Sequence, residues 1–175
     1  MSTGASQRLG EPANKSSLLH YFLLASGLFI ASFILYVSTL APSVVTIFDD
    51  SLEFQLVTYQ LGIAHPTGYP LYTLLGKLFT FIPAGGDVAY RVNLLSAFFG
   101  AATVALLYLL IVRLSSGSME KNQSSTLPFF PSSLSAHLGG IIGALLFAIS
   151  PVFWQQATIA EVYTLNAFFV ATLLF

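Results

Sequence analysis

Long apolar runs separated by short polar islands organise this chain. Residues 18–40 carry no charged side chain and are long enough to cross a bilayer, which takes about 20 residues of helix. The Ala41-Pro42 step closes that run, because proline disfavours helical geometry at the residue before it. Residues 92–112 and 136–154 predict a second and a third span, and a fourth opens at residue 165. The chain stops at Phe175 inside this fourth apolar run, so the sequence reads as the N-terminal part of a longer protein. Residues 1–17, rich in Ser, Gly and Ala, read as a disordered cytoplasmic tail, and residues 113–134 as a polar loop.

The stretch 43–91 breaks the apolar pattern with three prolines, three clustered acids, His65, Lys77, Asp87 and Arg91. Two short helices are expected inside it. Residues 51–61 place Leu52, Leu56, Val57 and Leu61 at helical spacing, with Gly62 where a C-terminal cap falls. Residues 70–81 open on Pro70, tolerated in a first turn, and end before Pro83. At about 12 residues this second helix is too short to span and is expected to lie in the membrane interface. Between the two, His65 to Pro70 must be extended or turned, since prolines flank Gly68. In the third span, Gly139, Gly140 and Gly143 allow close helix packing, and Trp154 marks an interfacial end.

Composition points the same way. Charged residues are 7% of the chain and apolar ones 55%, against about 25% charged in a soluble domain. The expected class is an all-α, polytopic membrane protein with membrane lipid as its solvent. A net charge of −1 and the lack of a basic patch argue against nucleic acid as a partner. With no cysteine, disulfides and thiolate metal sites are excluded from these residues. Arg8, Lys15, Arg113 and Lys121 against Lys77 and Arg91 favour a cytoplasmic N-terminus by four to two. Two spans separate the 43–91 loop from the loop around Glu161, so both must lie on one face, whichever face that is.

The acids supply the candidate chemistry. Asp49, Asp50 and Glu53 follow directly on an apolar span, where desolvation makes a carboxylate costly. Asp50 could cap a helix starting at Ser51, with Glu53 at the third position reaching back to main-chain N–H groups. The neighbouring Asp49 adds a like charge that capping does not need. The other reading is a general base at the water–membrane boundary, with Glu161 arriving on the same face. His65 could be a base, a ligand or a turn residue. No metal site is expected, because His20 lies in the first span and His137 on the opposite face. Lys77 and Arg91 could hold a phosphate or snorkel to headgroups. Tyr69, Tyr72 and Tyr163 could be interfacial aromatics or platforms for a sugar ring.

Four stretches together resemble a known family: Asp50-Ser51-Leu52-Glu53-Phe54, then the run from Gly62 through His65-Pro66-Thr67-Gly68-Tyr69-Pro70 to Tyr72, then Tyr90 to Leu95, and Ala160-Glu161-Val162-Tyr163 to Asn166. The family is one of multispanning membrane proteins that includes the endoplasmic-reticulum O-mannosyltransferase acting on plexin-type receptor domains and many bacterial relatives. Asp49 stands where the family usually has glycine, Leu52 where it has a small residue, and Thr67 where it has a second proline. The resemblance implies a GT-C-like glycosyltransferase that takes a sugar, with mannose expected, from a polyprenyl-phosphate donor. No other cofactor is implied. The acceptor would be a hydroxyl on a protein or a glycan. Asp50 would be the base, Glu53 and Glu161 would orient it or the acceptor, and Asp49, His65, Tyr69, Lys77, Arg91 and Tyr163 would contact substrates. The enzyme would sit in the plasma membrane of a bacterium or the endoplasmic-reticulum membrane of a eukaryote. An ion- or proton-coupled transporter module and a non-catalytic membrane scaffold are the competing classes. The acids cluster in loops rather than mid-span, which favours the enzyme.

Cysteine-accessibility labelling tests the arrangement of faces. Cysteines at Ser43 and Gln156 should label from one side of the membrane and a cysteine at Ser118 from the other. Labelling of Ser118 and Ser43 from the same side would refute the topology.

Overall fold

A computed structural model describes residues 15–44, 49–121 and 132–175. Among these residues the chain is all helical: α1 (Lys15–Ser38), α2 (Asp49–Gln60), α3 (Pro70–Thr80), α4 (Val88–Lys121), α5 (Ser132–Ala148), α6 (Pro151–Ala157) and α7 (Tyr163–Leu174). Within α1 and α4, Leu19–Ser38 and Val88–Ser115 are long and apolar enough to cross a membrane. The expected tail over 1–17 loses its last three residues to α1, and its first fourteen lie outside the described residues. The second span starts earlier than residue 92, and α4 runs on through Lys121 into the stretch expected as loop. The remainder of that loop, 122–131, lies outside the described residues.

The early start of α4 has a local cause. Asp87 accepts a hydrogen bond from the Tyr90 main-chain N–H at 2.8 Å and a second from the Ser43 hydroxyl. An aspartate at the N-cap satisfies donors that the first helical turn leaves unpaired. The Ser43 hydrogen bond, then the Tyr90 N–H, hold its carboxyl below the usual aspartate range.

The third span is not the straight segment expected over 136–154. α5 and α6 meet at a bend of 68°. Pro151 has no N–H for the Phe147 carbonyl, and that carbonyl instead accepts from Ser150 through its N–H at 3.2 Å and its hydroxyl at 2.9 Å. The Ala148 carbonyl accepts the buried Tyr36 hydroxyl at 2.9 Å, so α1 satisfies the broken end. Pro151 then opens α6, where its missing N–H costs nothing. Trp154 sits in α6 rather than at the end of a span, and its indole N–H donates to the Thr39 hydroxyl at 2.9 Å.

α4 is the axis of the packing, flanked by α1, α5 and α7 and, at its N-terminal end, by α2, α3 and α6. Its central face carries Ala97, Gly100, Ala101 and Val104, small enough for neighbouring backbones to come close. Of the three glycines singled out in α5, Gly140 and Gly143 press against Val112 and Ile111 of α4, while Gly139 faces open space.

α2 and α3 pack side by side and parallel beside α4, with Phe54 meeting Tyr72 and Thr58 meeting Gly76. Of the apolar stripe expected on α2, Leu52, Leu56 and Leu61 are exposed, while Val57 is half-buried and packs against the core. Ser51, Phe54, Gln55 and Thr58 face the core. An apolar outer face suits a helix in a membrane interface. The helix ends as expected in kind but one residue early. Leu61 takes the left-handed conformation at φ 55°, and Gly62 donates its N–H to Val57 at 2.8 Å.

The contact between α2 and α3 depends on Gly76. A Cβ placed there would stand 2.4 Å from Thr58 Cγ2 and 2.9 Å from Thr58 Cβ. The Thr58 hydroxyl is bonded to the Phe54 carbonyl at 2.6 Å, which restrains its rotation. Gly76→Ala should therefore destabilise the protein by about 1–3 kcal/mol, read as a lower melting temperature in detergent. Adding Thr58→Ser, which removes the nearer methyl, should restore part of the loss. No loss in the single variant, or no recovery in the double one, would contradict this packing.

Candidate active site

The two polar loops meet on the first turns of α4. Asn93, fully buried, donates its side-chain N–H groups to the carbonyls of Ala41 at 3.0 Å and Ser43 at 3.3 Å. Its side-chain oxygen accepts from Gln55 of α2 at 2.8 Å. One turn further, the Ser96 hydroxyl donates to the Glu161 carbonyl at 3.2 Å and accepts the Glu161 N–H at 3.2 Å. Ala41 N–H donates to the Thr158 carbonyl at 3.0 Å, which ties the end of the first span to the second loop. A spacing of three residues puts Asn93 and Ser96 on one face, so one stripe of α4 holds both loops.

Glu161 is drawn in by this arrangement and is only 3% exposed. One carboxylate oxygen accepts the Ser51 hydroxyl at 3.2 Å. The other, Oε2, is buried with no hydrogen-bond partner. Burial pushes the Glu161 carboxyl up, the Ser51 hydrogen bond offsets part of this, and the Asp50 charge adds to the rise.

Glu53 does not cap α2. Its two oxygens grip His65 of the following loop: Oε1 accepts the His65 main-chain N–H at 2.8 Å, and Oε2 lies 2.5 Å from Nδ1. The His65 hydrogen bond holds the Glu53 carboxyl down, and the same bond raises His65, helped by the charges of Glu53, Asp50 and Glu161. The carboxylate thus fixes the loop and orients the ring. Asp50 is the exposed acid of the group and lies inside α2 rather than at its N-cap. Asp49 opens α2, and its side chain lies outside the described residues. One ligand-capable atom each of Asp50, Glu53 and His65 fall within 4.8 Å of one another.

Aromatic rings wall this cluster. Tyr69 and Phe54 stand 5.3 Å and 5.9 Å from the His65 ring. Tyr69, in the left-handed conformation at φ 43°, turns the chain into α3. Beside them a cavity of about 380 Å³ runs between α3 and α7, walled by Tyr69, Tyr72, Tyr163, Asn166 and Phe169 among others. Tyr163, exposed, is on its rim and belongs to the cavity rather than to the acid cluster.

The two basic candidates are placed elsewhere. Lys77 donates to the Tyr59 carbonyl at 2.6 Å and stacks over the Tyr59 and Phe81 rings. The Arg91 guanidinium reaches the carbonyls of Thr80 at 3.0 Å, Gly86 at 3.3 Å and Gly85 at 3.4 Å, closing the C-terminal end of α3. None of these partners belongs to the acid cluster. Sequence reasoning missed Ser51, Gln55, Asn93 and Ser96. The signal was there for α4, since an asparagine and a serine one turn apart at the mouth of an apolar span need partners.

Comparison with known proteins follows the same stretches. The family model for the protein O-mannosyl-transferase TMEM260 N-terminal domain matches residues 50–175. A mouse protein O-mannosyl-transferase TMEM260 is 40% identical over 125 residues, covering 71% of this chain and 15% of the mouse protein. A Dictyostelium discoideum relative of the same description is 32% identical over 150 residues, covering 85% of this chain and 16% of its own length. The chain therefore spans under a fifth of the curated relatives it matches. No solved structure matches it significantly.

Glu161 gives a pH prediction with a definite sign. A carboxyl whose pKa is raised by folding binds its proton more tightly in the native state, so stability falls as pH rises from the unfolded toward the folded value. Glu161→Gln keeps an acceptor for Ser51 and removes the buried charge. In metal-free buffer at neutral pH it should melt higher than the parent, with the advantage vanishing in acid. A variant less stable than the parent at neutral pH would show that the charge is compensated.

Proposed function

The chain belongs to the protein O-mannosyl-transferase TMEM260 N-terminal domain family, and on that premise we propose that it carries the base of a glycosyltransferase moving mannose from a polyprenyl-phosphate donor to a protein Ser or Thr hydroxyl. The observation that supports the reading best is the convergence of an exposed Asp50 with the buried Glu161, joined through Ser51 at 3.2 Å. Beside them runs an aromatic-walled cavity. In the transfer, the acceptor oxygen forms its bond to the sugar C1 as the bond from C1 to the phosphate oxygen breaks. The acceptor proton passes to Asp50 and the polyprenyl phosphate leaves.

A carboxylate beside the reacting oxygen helps twice, taking the proton and stabilising the oxocarbenium-like carbon. Asp50 suits the role because it is exposed, whereas both oxygens of Glu53 are engaged by His65. Glu53 then positions His65 rather than Asp50, and Glu161 acts from behind Ser51. Tyr69 and Tyr163, which line that cavity, would pack against the sugar or the first isoprene units of the donor. Lys77 and Arg91 stand further from the chemistry in this reading, with Arg91 as a helix cap that a donor phosphate would have to draw away.

Asp50→Asn in the full-length protein tests the assignment with a mannosyl-phosphate polyprenyl donor and a Ser/Thr acceptor peptide. Transfer should fall by about 10²–10⁴ while the melting temperature holds. Asp49→Asn should cost far less. Near-normal transfer by Asp50→Asn would remove it as the base.

A further inference from the structure

Three carboxylates, Asp50, Glu53 and Glu161, stand against the single imidazole of His65 in this site, and each of them acts on its charge. A phosphate-bearing substrate would be repelled by that surplus. Lys77 and Arg91 are engaged with carbonyls outside the cluster. A small cation resolves the imbalance. The geometry for one is present, since the ligand atoms of Asp50, Glu53 and His65 lie within 4.8 Å of one another. Adjacent ligands on an octahedral ion with bonds of about 2.1 Å sit about 3 Å apart, so slight opening of the Glu53–His65 contact at 2.5 Å would admit an ion. The main-chain bond from His65 to Glu53 Oε1 at 2.8 Å would hold the loop in place meanwhile.

Glu161 provides an independent sign. Its Oε2 is buried without a donor, while its other oxygen is held by Ser51, the neighbour of Asp50. A buried acceptor left unpaired is costly and calls for a donor. A water on an ion in the cluster would be such a donor.

We propose that Asp50, Glu53 and His65 bind one divalent cation, with Glu161 accepting a hydrogen bond from a water on that ion. Two carboxylates and one imidazole suit a manganese-class ion, because carboxylate favours Mg, Ca and Mn while imidazole favours the transition metals. Asp50 has two oxygens, so one can ligate while the other faces an acceptor hydroxyl. Coordination positions left open would take water or an oxygen of a phosphorylated substrate; this last step rests on the glycosyltransferase reading, whereas the site itself does not.

The test is Mn²⁺ titration of the purified full-length protein, followed by electron paramagnetic resonance. The site should saturate at one ion per chain, and pulsed spectra should show one directly bound nitrogen. Asp50→Asn and Glu53→Gln should each weaken binding at least about tenfold, and Glu161→Gln by about 10–100-fold, as loss of a group that orients a ligand does. His65→Gln should remove the nitrogen coupling, a readout that needs no carboxylate change. Failure to saturate, a spectrum without bound nitrogen, or affinity unmoved by both ligand-carboxylate variants would overturn the site. Sugar transfer that persists in chelator without a saturable Mn²⁺ site would overturn it and leave the transferase reading standing. A saturable site with bound nitrogen in a protein that transfers no sugar would support it and count against that reading.

Discussion

The fold around the site depends on one polar stripe in an apolar helix. Asn93 and Ser96 project from the first turns of α4, where both are fully buried, and their side-chain hydrogen bonds reach three other segments: the loop after α1, α2 and the Glu161 loop. Buried amides and hydroxyls are costly when unpaired, and the cost rises as the surroundings become less polar. The loop after α1, the helix α2 and the Glu161 loop are therefore held where they satisfy that stripe. Small residues further along the same helix let α1, α5 and α7 pack closely enough to keep water away from it.

From this follows the separation of roles among the acids. Ser96 fixes the main chain of Glu161, so that its side chain is buried against Ser51. Glu53 is spent on the loop carrying His65. Asp50, on the next position of α2 toward solvent, keeps its exposure. One short helix thus presents an exposed carboxylate, a carboxylate that builds a loop, and a hydroxyl that contacts a third acid.

Much of this was legible in the chain. Apolar length located α1 and α4, and proline and glycine marked the ends of α2 and α3, because those signals act locally through backbone geometry. Counting spans was enough to put Glu161 on the face of Asp50. The misreadings share another cause. Glu53 looked like a capping residue because its true partner, His65, is twelve positions away. The spacing of the α2 leucines marked a helix but not which way they face, and the structure turns Leu52 and Leu56 outward. Pro151 breaks the third span where hydropathy runs on undisturbed, since hydropathy is blind to a missing N–H. Arg91 invites a phosphate at headgroup depth, yet the free carbonyls at the end of α3 are nearer.

The claim on which all of this rests is that the two loops share one site, and a bridge between them tests it most directly. Ala41 N–H meets the Thr158 carbonyl at 3.0 Å, a main-chain contact compatible with the Cα separation of about 4.4–6.8 Å that disulfides require. The double variant Ala41→Cys, Thr158→Cys should form a disulfide on mild oxidation of the protein in its native membrane. Two thiols that stay free and are alkylated independently under those conditions would contradict the account.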